Sequence, residues 1–148
     1  MVALKDIVCS EKNRPQIVRD AAQLVESEVR GKSGISGMAI KTGYKAVKKI
    51  KPGLIEEVIE GLLPEFVANL EPLFGQWESA GRQPSFEQFL SARKSEAANA
   101  LLGVTDGRAE RTRHNALRKT YKALRPHGQK NVESALPGLG RLLQRYLD

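Results

Sequence analysis

Lysine and arginine recur at helical spacing in two places, and ammonium and guanidinium groups held in a row can neutralise a row of phosphates. Lys41, Lys45 and Lys48 follow an i, i+4, i+7 pattern, and 77 positions further on Arg118, Lys122 and Arg125 repeat it, with Arg111 and His114 extending the second row upstream. Such a face would bind nucleic acid in a salt-dependent, largely sequence-independent way, or attach to an anionic lipid surface. The competing explanation is structural. Cations near a helix C-terminus are favoured by the macrodipole by about 0.3–1 kcal/mol, and a charge run is also the ordinary solvated face of a helix.

The remaining reactive side chains assemble into nothing catalytic. Tyr44 and Tyr121 stand at matching places in the two basic stretches. They could stack on bases, but a tyrosine on an otherwise apolar helix face reads as packing with its hydroxyl at the rim. Gly31-Lys32-Ser33 resembles the end of a phosphate-binding loop, yet Glu26 stands where that loop needs glycine and no strand precedes it. His114 and His127 are 13 residues apart with no cysteine beside them, so no metal site is assigned. Cys9 reads as a small packed thiol, and Glu56, Glu57 and Glu60 as the solvated side of an apolar helix. No catalytic residue, metal or cofactor is assigned, and the chain reads as non-enzymatic.

Charge is distributed unevenly. Residues 31–51 hold six lysines and no acid, residues 52–81 hold six acids and no base, and residues 108–130 hold eight bases against Glu110, within a net charge of +7. The acids of 56–78 are therefore expected to offset the first basic stretch and to leave the second unmatched. A single cysteine excludes an intramolecular disulfide, the charged start at Lys5 and Asp6 is unlike a secretory leader, and no apolar run approaches a membrane span. A cytoplasmic protein with no transmembrane segment is expected.

These side chains have to be positioned by helices. Apolar residues recur at helical spacing along most of the chain, and nothing shows the alternation of a strand. The pattern predicts helices near 3–9, 15–30, 35–50, 54–63 and 65–74, then 86–92, 93–103, 107–124, 129–136 and 138–147. Ile35, Ala39, Tyr44, Val47 and Ile50 form the apolar face of the third, with Ser33 or Ser36 as its cap. Pro64 and Pro137 are each read as a break followed by a new helix. Ala39–Val47 returns as Ala116–Leu124, and Ile59–Pro64 as Val132–Pro137. The expected fold is one all-α domain, 1–148, a helical bundle of two tandem related halves, about 3–75 and 86–148, with pseudo-two-fold symmetry. Residues 76–85 form the linker, and Trp77 is buried between the halves.

Through Gly34-Ile35-Ser36-Gly37, Gly43-Tyr44-Lys45-Ala46-Val47-Lys48-Lys49 and Leu62-Leu63-Pro64-Glu65-Phe66, the chain resembles a family of small uncharacterised bacterial proteins, a domain of unknown function. The resemblance implies a cytoplasmic helical protein and carries no activity with it. The leading functional expectation is contact with an anionic partner, nucleic acid before membrane surface, through the basic helix 107–125. The rival is a structural or protein-interaction module, homodimeric, whose basic helices are neutralised by the acidic segment 56–78. A third is a small-ligand pocket between the halves, lined by Tyr44, Tyr121 or His114.

Overall fold

The computed structural model describes residues 3–147; Met1, Val2 and Asp148 lie outside the described residues. Among the described residues every regular element is helical: α1 (Leu4–Val8), α2 (Arg14–Arg30), α3 (Gly34–Ile50), α4 (Leu54–Ser79), α5 (Phe86–Ala92), α6 (Lys94–Arg111), α7 (Asn115–Leu124) and α8 (Gly128–Leu147), with a 3-10 turn at Arg125–His127. None of these helices is long and apolar enough to cross a membrane.

The core is built by α1, α2, α4, α5, α6 and α8. Leu4 and Val8, Ile17 and Val18, Leu63 to Trp77 on α4, Phe86 to Leu90, Ala97, and Leu136 to Leu147 on α8 meet in one apolar cluster. In the chain, α1 lies on α4 and α5 on α8, while α4 packs on α6 and α8 on α2. Trp77 is buried, donates its indole N–H to the Pro84 carbonyl at 2.7 Å and meets the Phe86 ring at 5.1 Å between centroids. α4 runs on to Ser79, so the connection to α5 is made by residues 80–85, and Ser85 accepts the Gln88 N–H to cap α5.

Several details differ from the expectations. The helices do not break at Pro64 or Pro137, which sit inside α4 and α8. A proline withholds the N–H that the carbonyl four residues earlier would accept. At Pro64 that carbonyl, Glu60, is taken by Arg14 Nη2 at 3.2 Å, and burial of Leu62, Leu63 and Val67 around the proline holds the helix on course.

The basic helix expected over 107–125 is divided. α6 ends at Arg111 and α7 starts at Asn115, because the Thr112 hydroxyl accepts the His114 N–H and gives the backbone a turn in place of the helical bond. Ile35, expected on the apolar face of its helix, is 89% exposed, since it lies in the first turn of α3 where no neighbouring element reaches it. Ser33 takes the N-cap position of α3 without a side-chain cap bond, and Ser36 instead meets His127 Nδ1 at 3.2 Å.

Candidate anion-binding face

α3 and α7 carry the two basic rows, and they pack on each other. Ser36, near the start of α3, meets His127 beyond the end of α7, while Gly43, further along α3, meets Leu124. The two helices are thus antiparallel. Gly43 allows the approach: a Cβ there would stand 2.6 Å from Leu124 Cδ1. Neither helix contributes a large side chain to the buried core, and α7 has no buried residue at all although its polar and apolar residues are sharply segregated. The pair is an outer layer held by partly buried residues such as Tyr44, Val47, Tyr121 and Leu124.

The layer concentrates charge. α3 brings Lys41, Lys45, Lys48 and Lys49, and α7 brings Arg118, Lys119 and Lys122, seven cations with no acid on either helix. The outward stripe of α3, at 100° per residue, runs Ile35, Met38, Thr42, Lys45 and Lys49, all exposed or partly so. Lys41 and Lys48 flank it, and Lys48 Nζ stands 5.3 Å from the Tyr44 ring centroid.

The rows differ in how their charges are engaged, in the opposite sense to the tally along the chain. Arg111 is on α6, off the α7 row, and pairs with Glu65 at 3.7 Å. Arg118 folds back onto the end of α6, donating to the carbonyls of Ala109 and Thr112 and to Asn115 Oδ1. Arg125 lies in the 3-10 turn and clasps Asp106 with two bonds, Nε at 2.8 Å and Nη2 at 3.2 Å. Lys122 is exposed. Among the described residues no ion pair reaches Lys41, Lys45, Lys48 or Lys122. Of the acids expected to offset the first basic stretch, Glu57 pairs with Lys51 at its end, while Glu65 goes to Arg111, Glu78 to Arg82 and Glu71 to the backbone N–H of Lys5.

Asp106 also accepts the Tyr121 hydroxyl at 2.5 Å, and that hydroxyl lies 2.7 Å from Thr105 Oγ1. The Arg125 bonds hold the Asp106 carboxyl below its usual range. Burial first, and the neighbouring carboxylate second, push the Tyr121 phenol up to about 12. Among the described residues no carboxylate is hydrogen-bonded to Tyr44, in the matching place; burial and the charges of Glu26 and Glu56 raise its phenol. The cluster ties α7 to α6 and offers no free base or nucleophile.

Of the candidates named from the sequence, Lys45, Lys48 and Lys122 are exposed and Lys41 is half-buried. Sequence reasoning missed Lys49 and Lys119, which the turn-by-turn spacing from Lys45 and Lys122 could have added. It also missed Met38, 69% exposed beside Ile35. The model of a family of unknown function matches residues 4–147. No curated protein and no solved structure matches the chain.

Proposed function

The chain belongs to the DUF6918 family of unknown function, and from its surface we propose a non-enzymatic protein that holds an anionic partner, nucleic acid first, on the α3–α7 face. The observation that carries this is the meeting of two basic rows, distant in sequence, as seven cations without an acid on adjacent helices. Phosphate contacts of this kind release counterions, so affinity falls with salt. With about five cations engaged, log K against log salt has a slope of about −4 to −5.

Binding of a labelled DNA duplex of about two helical turns, followed by anisotropy between about 50 mM and 200 mM salt, tests this. Lys41, Lys45, Lys48, Lys119 and Lys122 to glutamine together abolish binding. Lysines are the cleaner targets, because Arg118 and Arg125 also hold α6 and α7 together. Binding that ignores salt, or none at the lowest salt, overturns the reading. Exposed Ile35 and Met38 favour a second reading, an anionic bilayer, since apolar side chains beside lysines suit a headgroup boundary. Capture by anionic vesicles with no duplex binding would select it.

Two further readings belong with this one. One domain of two halves, about 3–75 and 86–148, related by a two-fold axis, is supported by the element order. A short helix, two longer ones and a proline-containing helix occur twice, and α4 on α6 answers α8 on α2 while α3 meets α7. A homodimeric interaction module draws support from exposed Glu56 and Glu60, which would meet the lysines of a second copy. Sedimentation as a monomer at low salt would remove it. A cytoplasmic setting accords with the lone cysteine.

A further inference from the structure

We propose that the space between α1, α2, α4, α6 and α8 is a binding site for a single unbranched aliphatic chain. The cavity there measures about 270 Å³, and its wall presents only apolar atoms. Leu63 and Phe66 of α4 face it from one side, and Leu136 and Leu139, their counterparts on α8, from another. The one polar side chain of the wall, Thr105, spends its hydroxyl on the Leu102 carbonyl and on Tyr121.

Water needs two to four polar partners to settle in such a space, and none is offered. Interiors are otherwise packed to the density of organic crystals, with few voids larger than a water molecule, so an apolar opening of this size has room for an apolar occupant. Its wall follows α4 from Ile59 to Leu70 and α8 from Val132 to Leu143, about 16 Å of helix each. A space bordered along that length by two helices suits an extended chain of methylenes. At ~30 Å³ per small heavy-atom group, the cavity takes about nine or ten of them. Val25, the exposed member of the wall, marks the opening, and the Thr105–Tyr121 bond sets α7 at its rim. Tyr44, Tyr121 and His114, the residues a pocket between the halves was expected to use, are not in the wall.

The test is a titration of the protein with straight-chain carboxylates of increasing length, read by calorimetry and by methyl resonances. Affinity is expected to rise about fourfold per added methylene up to decanoate and then level off. Shifts are expected at Leu63, Leu136 and Leu139. Ala135→Leu, which fills the cavity, is expected to weaken decanoate at least tenfold. Leu136→Ala, which enlarges it, is expected to move the plateau to longer chains, so the answer does not depend on one variant folding. Esterified chains are distinguished from free ones by a dioctanoyl phosphatidylcholine arm, and occupancy of the cavity by either supports the site. Affinity independent of chain length, or unchanged in folded Ala135→Leu, overturns it, as do shifts confined to α3 and α7. Glutamine at Lys119 and Lys122 leaves decanoate binding in place, which separates this site from the cationic face.

Discussion

Tyr121 and Arg125 share one carboxylate, Asp106, and this trio joins α7 to the body of the protein. A phenol raised from 10.0 to about 12 stays neutral longer in the fold than in the unfolded chain. Its contribution is fully present below pH 10 and is lost as pH climbs through about 12. The lowered Asp106 works in the opposite direction: its contribution is present above the ordinary carboxylate range and is lost as pH falls through the depressed value. Tyr121→Phe should therefore flatten the alkaline limb of stability against pH, and Asp106→Asn the acid limb, in denaturant melts across pH. Arg125 and Asp106 are each more than a third exposed, so at neutral pH the pair itself contributes about 1 kcal/mol at most. The spacing of Arg118 and Arg125 was legible in the sequence. Their engagement was not, because it depends on where α6 stops, and a hydroxyl at Thr112 decides that within one turn.

At the scale of single helices, the interior prolines show how tertiary contacts override a local rule. Arg14 Nη2 occupies the Glu60 carbonyl that Pro64 leaves open. Arg14→Met is expected to cost about 0.5–1 kcal/mol in the parent. It should cost little in a Pro64→Ala background, where the backbone N–H restored by the substitution takes the carbonyl; additive losses in urea melts of that cycle would refute the link. Glycines set two other contacts. A Cβ at Gly140 would stand 2.5 Å from Glu87 Cα, whereas one at Gly43 meets only the movable end of Leu124. Gly140→Ala should then cost about 1–3 kcal/mol by driving α5 from α8. Gly43→Ala should be milder, helped by the ~1 kcal/mol that alanine gains over glycine inside a helix. The helical period, the start of α2 to within one residue and the bounds of α5 were readable from sequence. The continuity of α4 and α8 was not; in α4 an arginine 50 residues from its proline supplies it.

For the whole molecule, the fold converts a charge pattern that looks alternating along the chain into two separate regions. Lys41, Lys45, Lys48 and Lys49 of α3 come to one layer with Arg118, Lys119 and Lys122 of α7, while α4 spends its acids on Lys51, Arg82, Arg111 and the start of α1. The repeat made that meeting imaginable, but the choice of which cations stay outward came only from packing. A pocket between the halves was expected from the sequence with other residues in its wall; the apolar space itself was not legible, since its volume is what remains where leucines from five helices fail to close. The layer itself has a further consequence. With no large side chain of α3 or α7 in the core, their amides have little to protect them beyond their own hydrogen bonds. The two helices should exchange amide hydrogen together and well before α4, α6 and α8. Matched exchange rates in segments so far apart in the chain would mark α3 and α7 as one cooperative unit, able to lift away while the rest of the protein stays folded.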